Sequence, residues 1–171
     1  ASWIADEMNI PINFCQDYTL PNYVNNKTLI IASSNSGNTE ETISAVEEAH
    51  KKGASIVGIC SGGKLEAFCK QWNYDCILVP GGNPPRTQLA FSIVQLVHIF
   101  AEINLINKEK LNEFVSAGEL LNTNNEEIHA EAKEMANFID KKELIIYSEA
   151  KDEAVAIRAR QQFNENSKVL F

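Results

Sequence analysis

The sequence predicts an α/β protein in which a parallel β-sheet is flanked by helices. Three features support this fold class: apolar runs of strand length, amphipathic helical patterns between them, and links of only a few residues. Strand–helix alternation with such short links is typical of parallel sheets, because parallel strands are joined by crossover connections that usually contain a helix.

Composition narrows the classes of function. Of the 171 residues, 44% are hydrophobic and 22% charged, and the formal net charge is −8. This acidic balance argues against a nucleic-acid surface, which needs a basic face, although one local site can still hold a small anion. No apolar run approaches the roughly 20 residues of a membrane span. The four cysteines form no C-x-x-C pair and are expected to be reduced, buried thiols of a cytoplasmic protein.

The first elements follow from the apolar pattern. After an opening helical stretch, residues 11–16 (PINFCQ) are predicted to form a strand. Residues 28–33 (TLIIAS) are continuously apolar, which is typical of a strand buried on both faces. A helix is expected over residues 39–52, and Gly53 follows it where a C-terminal glycine cap belongs.

The alternation continues through the middle of the chain. The pattern predicts a strand, a glycine turn, a short helix and another strand, at residues 55–60, 61–64, 65–72 and 76–80. A loop with two glycines and two prolines follows, and then a helix over residues 87–105. That helix is too apolar for a one-sided surface helix, so we expect it to be central or at a subunit interface.

A second copy of the same architecture is predicted to begin in the last third. After a polar helix and connector, the pattern predicts a helix, a buried strand and another helix, at residues 126–138, 143–150 and 151–163. Ser148 at the strand end repeats the arrangement of the first copy.

We therefore divide the chain into domains 1–106 and 107–171. The chain begins with Ala1 inside a helical pattern and stops inside the apolar run 168–171. We interpret both ends as cut from a longer protein.

Residues 33–42 (SSNSGNTEET) form a hydroxyl-rich turn between a strand and a helix. Gly37 can adopt a left-handed conformation that lets backbone N–H groups face a ligand. The short polar side chains are those of Ser34, Ser36, Asn38 and Thr39. The helix that starts near Thr39 adds free N–H groups and a dipole that favours an anion. The turn therefore predicts a phosphate site built from neutral donors.

Two other interpretations of this turn remain open from spacing alone. Asn38 and Glu41 have the spacing of a capping box, which would make the turn a helix cap only. The sequence SGNTEE also has the character of a flavodoxin-type loop for the FMN phosphate. Against a flavin site, the turn follows the second predicted strand, and the nearby aromatics Trp72 and Tyr74 lie at a helix–strand link.

Three segments together resemble one enzyme family. They are SNSGNTEETISAVEEAHKKGASIVGICSGGKLEAF, VPGGNPPRTQLAFS and QFNENSK, in this order along most of the chain. They are similar to the bifunctional phosphoglucose/phosphomannose isomerases of the sugar isomerase (SIS) superfamily. The resemblance implies a three-layer α/β sandwich with two SIS domains, assembled as a homodimer and working on hexose 6-phosphates without metal or organic cofactor.

The resemblance also implies roles for individual residues. Ser34, Ser36 and Thr39 would hold the sugar phosphate, Arg86 would lie near the C1–C2 end of the sugar, and Glu165 would be the base that moves the proton. Asn35 departs from the family, in which an aromatic residue is common at this position.

Other parts of the family's site would lie outside the chain. A glycine-serine loop would precede Ala1, and a ring-opening histidine and a late lysine would follow Phe171. We therefore expect the chain as given to be an incomplete catalyst.

The chemistry of Arg86 and Glu165 is consistent with those roles. Aldose–ketose isomerisation needs a carboxylate that shuttles a proton and a cation that stabilises an enediolate. Pro84 and Pro85 stiffen the loop of Arg86, and the polar neighbours of Glu165 could leave its carboxylate partly desolvated. The alternatives are a surface arginine at a helix start and a surface glutamate at a frayed helix end.

The histidines offer no metal site by spacing. His50 lies near a helix end, where a cation is favoured, and His98 lies in an apolar helix, where we expect a core or interface residue.

A non-catalytic sugar-phosphate sensor is the main rival to an isomerase, because a SIS fold does not by itself fix function.

Overall fold

The computed structural model describes residues 2–4, 6–140 and 142–168. The chain divides into two compact units, Ile10–Ile103 and a second unit of Ala1–Asn9 together with Asn104–Phe171. We call them the sheet unit and the helical unit. Of the apolar run predicted at the end of the chain, residues 169–171 lie outside the described residues.

The sheet unit has the predicted α/β architecture. Its elements are β1 (Leu29–Ser34), α1 (Glu40–Lys51), β2 (Ser55–Cys60), α2 (Gly63–Trp72), β3 (Asp75–Leu78) and α3 (Leu89–Glu102), with a 3-10 turn at Pro85–Thr87. The strands are parallel in the order β1-β2-β3. The strands predicted at 28–33, 55–60 and 76–80, and the helices between them, are therefore confirmed.

Alternate strand residues face opposite layers of the sheet unit. Ile56 of β2 belongs to a core cluster that contains Val46 of α1 and Leu65 of α2. Ile59 of the same strand belongs to a second cluster that contains Ile99 of α3. Because side chains alternate along a strand, the sheet lies between α1 and α2 on one face and α3 on the other. The continuous apolar runs of β1 and β2 follow from this burial on both faces.

The apolar helix α3 is only partly covered in this structure. Val97, Ile99 and Phe100 are buried. Leu89 and Phe91, nearer its start, remain 40% and 41% exposed. The helix therefore covers the sheet with its second half and leaves apolar surface along its first half.

Two predicted strands are wrong. Residues 11–16 have no regular secondary structure, and Phe14 in this segment is 81% exposed. Residues 143–149 are likewise irregular, and Tyr147 is 90% exposed. An apolar run favours an extended chain, but a strand forms only where a neighbour pairs with it. Neither segment pairs with a described strand.

The helical unit contains three longer helices, α4 (Leu111–Thr123), α5 (Asn125–Ile139) and α6 (Glu153–Ser167). The helices predicted at 126–138 and 151–163 correspond to α5 and α6. Trp3 packs edge-on against Phe114 at a centroid distance of 5.4 Å, and its indole N–H donates to Glu113 Oε2 at 2.6 Å. Within the described ranges, no helix combines the length and apolar character that a bilayer crossing requires.

Candidate phosphate-binding site at the carboxyl edge of the sheet

Three loops meet the same edge of the parallel sheet. Residues 34–39 connect β1 to α1, residues 61–65 lead from β2 into α2, and residues 79–88 connect β3 to α3. We call the first the 34–39 loop and the second the 61–65 turn. The carboxyl edge of an open parallel sheet is where ligands of such folds bind. The predicted phosphate residues therefore lie where a ligand site is expected.

The 34–39 loop is held in shape by its own short side chains. Ser34 is buried, and its hydroxyl is hydrogen-bonded to the Thr39 hydroxyl at 2.8 Å. The Gly37 N–H donates to the Ser34 carbonyl at 3.0 Å, and the Asn38 N–H donates to the Ser36 hydroxyl at 3.2 Å. All five predicted phosphate residues thus belong to one compact turn.

The 61–65 turn packs directly on the 34–39 loop. The Ser61 N–H and hydroxyl both donate to the Asn35 carbonyl, at 2.8 and 2.6 Å. The Leu65 N–H donates to the Gly37 carbonyl at 2.9 Å. Gly37 has φ of +66°, and a Cβ there would lie 1.8 Å from the Gly62 carbonyl oxygen. Glycine is therefore required at position 37 by both conformation and space.

The start of α1 leaves backbone donors without acceptors. Thr39 is the N-cap and makes no side-chain cap bond, and the first turn closes with the Ile43 N–H on the Thr39 carbonyl at 3.0 Å. Among the described residues, the N–H groups of Glu40, Glu41 and Thr42 find no acceptor. The capping box of Asn38 and Glu41, weighed as an alternative from spacing, is not formed. These donors and the helix dipole favour an anion at this position.

The side chains around these donors are acidic. Glu41 raises the pKa of the Tyr18 phenol above its usual value, with smaller contributions from desolvation and Glu40. The two glutamates match the positive end of the helix dipole. They would also repel a phosphate, so neutral hydroxyl and N–H donors would have to supply its binding.

Arg86 lies on the loop that follows β3, within the same sheet unit. It is half-buried in the 3-10 turn Pro85–Thr87, where the Thr87 hydroxyl donates to the Pro84 carbonyl at 2.8 Å. Gln88, two residues further, is only 2% exposed, and neither polar atom of its amide has a hydrogen-bond partner among the described residues. Sequence reasoning missed Gln88, because a glutamine at a helix start is usually a surface residue.

Glu165 lies in the helical unit, within the last turn of α6 rather than after the helix. Its side chain is exposed there, so the partial desolvation expected from its polar neighbours is absent within this unit. The neighbouring Asn164 has a buried Oδ1 without a partner among the described residues. The structure thus joins Ser34–Thr39 in one loop and assigns Arg86 to the same unit. The role of Glu165 remains a prediction.

The histidines are not arranged as metal ligands. His50 pairs through Nδ1 with the Tyr74 hydroxyl at 2.9 Å, and its ring lies 4.1 Å from the Trp72 ring centre. His98 is exposed, which contradicts a place in the core, while the predicted place at a subunit interface stays a prediction. In the part of the chain that the structure describes, no group of three or more histidine, cysteine, aspartate or glutamate side chains could hold a metal ion.

Comparison with known proteins finds several similar enzymes. The chain is 40% identical to a bifunctional phosphoglucose/phosphomannose isomerase of Thermoplasma volcanium, over 99% of this chain and 52% of that protein. Proteins with the same name in Caldicellulosiruptor bescii and Aquifex aeolicus are 38% and 37% identical, over 97% and 98% of this chain and 51% of each relative. Over nearly its whole length the chain is therefore similar to proteins named bifunctional phosphoglucose/phosphomannose isomerase.

A family model matches the last part of the chain, whereas the search of solved structures finds no match. Residues 128–171 match the family model described as the bacterial phospho-glucose isomerase C-terminal SIS domain. No solved structure is significantly similar to the chain. The chain spans about half the length of the curated relatives it matches. The resemblance noted from the three sequence segments is confirmed, as is the α/β fold class.

Proposed function

We propose that this chain is part of an isomerase that interconverts glucose 6-phosphate or mannose 6-phosphate with fructose 6-phosphate. The observation that carries the proposal is the 34–39 loop, whose neutral donors at the start of α1 suit a phosphate monoester. The names of the relatives supply the substrate class. The alternatives of a bare helix cap and of a flavin loop gain no support from either source.

The 34–39 loop would hold the phosphate end of the sugar. Ser34, Ser36 and Thr39 would hold the phosphate together with the unpaired N–H groups that open α1. The Ser36 hydroxyl and one hydroxyl of the Ser34–Thr39 pair would donate to phosphate oxygens, because the other hydroxyl of the pair uses its proton in their mutual hydrogen bond. Gly37 has no side chain, so the Gly62 carbonyl can pack closely against this loop and hold its shape. A phosphate anchored at the sixth carbon would place the reacting C1–C2 end away from the loop.

Arg86 would act at the C1–C2 end. Removal of a proton from C2 of the aldose leaves charge on the C1 oxygen of a cis-enediolate. A guanidinium is always charged and carries several N–H donors, so it stabilises such an oxygen well. The prolines before Arg86 restrict its loop and would lower the cost of fixing this charge.

Glu165 would be the base that carries the proton between C2 and C1. It would take the proton from C2 of the aldose and return it to C1, while the proton of the C2 hydroxyl passes to the C1 oxygen, which converts the aldose into the ketose. The reaction is then a proton transfer within one substrate, without net oxidation. Its exposed position on α6 within the helical unit leaves the carboxylate accessible to a substrate.

The first experiment is a coupled assay on the full-length protein with fructose 6-phosphate, in which both aldose phosphates are monitored. We expect turnover to at least one of them. Glu165→Gln should lower kcat by about 100- to 10,000-fold, as loss of a general base does, with little change in sugar-phosphate affinity. Glu153→Gln, the same change on an exposed residue of the same helix, is the matched control and should keep full activity.

A non-catalytic sugar-phosphate sensor is the rival that the assay separates. Such a protein would bind fructose 6-phosphate without turnover, and Glu165→Gln would then change nothing. Loss of affinity with kcat preserved would also contradict the assignment of Glu165 as the base.

We also propose that the full-length protein works as a cytoplasmic homodimer. The exposed apolar first half of α3, which includes Leu89, Phe91 and Ile93, offers a surface suited to a subunit interface. Light scattering should give twice the monomer mass. Leu89→Lys should shift that mass toward the monomer if α3 lies in the interface.

A further inference from the structure

We propose that Asn38 is a positioning residue whose side-chain amide clamps the 34–39 loop to the first turn of α2 without touching the phosphate. The inference rests on the proposed function, since it concerns how the phosphate donors of that loop are held. The spacing of the sequence placed Asn38 among the phosphate ligands. Its contacts in the structure assign its side chain to the loop itself.

Both ends of the Asn38 amide are engaged by backbone. Nδ2 donates to the Ser36 carbonyl at 3.1 Å, within the loop. Oδ1 accepts from the Lys64 N–H at 3.1 Å, in the first turn of α2. Exchanging the two amide atoms would set oxygen against the Ser36 carbonyl and N–H against the Lys64 N–H, so only one orientation satisfies both contacts. The amide therefore joins two elements that are 26 residues apart in sequence.

Space at the junction is also limited to these groups. Gly63 opens α2 with φ of +76°, and a Cβ there would lie 2.5 Å from the Ser36 carbonyl oxygen and 2.8 Å from Asn38 Oδ1. A side chain at position 63 would thus displace both partners of the clamp. The two glycines of the 61–65 turn, predicted from sequence only as a turn, let the loop and α2 approach each other.

The two helices at this edge then have different tasks. Two of the N–H groups in the first turn of α2 are occupied, because those of Lys64 and Leu65 donate to Asn38 Oδ1 and the Gly37 carbonyl. The N–H groups in the first turn of α1 remain without acceptors among the described residues. The phosphate is accordingly held at α1, and α2 fixes the loop that presents it.

Asn38→Ala and Asn38→Asp test the clamp in the full-length protein. Asn38→Ala removes both contacts, and Asn38→Asp keeps Oδ1 but sets a carboxylate oxygen against the Ser36 carbonyl. We expect each variant to weaken binding of inorganic phosphate, measured by calorimetry, by about three- to tenfold, as the loss of one or two hydrogen bonds does. KM for fructose 6-phosphate should rise by a similar factor with kcat near that of the wild type, because the reacting end of the sugar is untouched.

A matched pair at position 64 tests the same bond from its other side. Lys64→Pro and Lys64→Ala both lose the ammonium group, but only the proline lacks the N–H that Asn38 accepts. Proline is tolerated in the first turn of a helix. Lys64→Pro should weaken phosphate binding relative to Lys64→Ala. Its effect should not add to that of Asn38→Ala, because Asn38→Ala already removes the hydrogen bond that Lys64→Pro removes.

The outcomes separate this inference from the proposed function. Wild-type protein that binds neither inorganic phosphate nor fructose 6-phosphate would overturn both. If the wild type binds and turns over while the Asn38 variants and Lys64→Pro keep its phosphate affinity, only the clamp is wrong. A fall in kcat that exceeds the rise in KM, or an additive double variant, would also refute it. Thermal melting of each variant shows whether the protein is folded at the assay temperature.

Discussion

Gly37→Ala is the sharpest test of how the candidate site is built. The Cβ of an alanine at position 37 would lie 1.8 Å from the Gly62 carbonyl oxygen and 2.9 Å from its carbon. Cβ atoms in proteins lie at least 3.0 Å from other heavy atoms, so the Gly62 carbonyl would have to move away by about 1.2 Å. That movement acts against the 2.9 Å bond from the Leu65 N–H to the Gly37 carbonyl.

The expected cost has two parts. An alanine forced into the left-handed conformation of Gly37, with φ of +66°, loses about 1–2 kcal/mol. Displacing the 61–65 turn weakens one or two further hydrogen bonds at about 0.5–1.5 kcal/mol each. We therefore expect the free energy of unfolding to fall by about 2–4 kcal/mol.

Gly53→Ala is the matched control. Gly53 has φ of +74°, but a Cβ there would meet only Asn26 Cβ at 3.5 Å, an ordinary contact. The free energy of unfolding of Gly53→Ala should therefore fall only by the cost of the left-handed conformation, about 1–2 kcal/mol. The gain from a less flexible unfolded chain is the same for both substitutions and cancels in their difference.

Urea unfolding followed by Trp72 fluorescence, in a Trp3→Phe background, measures both changes within the sheet unit. We expect Gly37→Ala to lose at least about 1 kcal/mol more than Gly53→Ala, and to lose affinity for inorganic phosphate as well. Equal losses of stability together with unchanged phosphate affinity would refute the argument from close approach. The 34–39 loop and the 61–65 turn could then move apart without loss of stability.

Three further predictions concern single side chains. Ser36→Ala should weaken binding of inorganic phosphate by about two- to tenfold, because it removes one exposed hydroxyl donor, and unchanged binding in a calorimeter would remove that residue from the site. In the folded protein at neutral pH, a thiol reagent should modify Cys15 rapidly and leave the buried Cys60 and Cys69 unmodified until urea is added. Burial raises the pKa of the Cys76 thiol from 9.0 to about 12, with further contributions from Cys60 and Cys69. The stability due to this neutral thiol is complete below pH 9 and is lost as the pH rises toward 12, because the unfolded chain ionises first. Urea midpoints measured across that range should fall less steeply for Cys76→Ala than for the wild type.

Local sequence was a good guide wherever burial on both faces left a clear pattern. The runs at 28–33 and 55–60 became β1 and β2, because a parallel strand with helices packed on both faces of its sheet has little solvent-facing surface to carry polar residues. Gly53 was placed correctly beyond α1 because a left-handed residue there favours glycine.

Prediction of strands from apolar patterns failed where a strand needs a pairing partner that is distant in sequence. Residues 11–16 and 143–150 have strand-like apolar patterns, yet neither segment is paired with a described strand. Backbone pairing is decided by which edges are available in the folded chain, and an apolar pattern carries no information about that.

The sequence by itself determined the fold class, the similarity to known isomerases and the position of the candidate phosphate loop. Each of these depends on short-range features: apolar periods, glycines at turns, and hydroxyls next to a helix start. Only the tertiary structure decided what each residue of the loop does. The partners of Asn38 and Gly37 lie on the 61–65 turn, and the parallel pairing of β1 with β2 brings that turn against the loop. Hydrogen bonds and close approaches between segments far apart in sequence exist only once the chain has folded. The spacing of residues in the sequence could therefore indicate which side chains form the loop. It could not distinguish a candidate phosphate ligand from a residue that holds the loop in place.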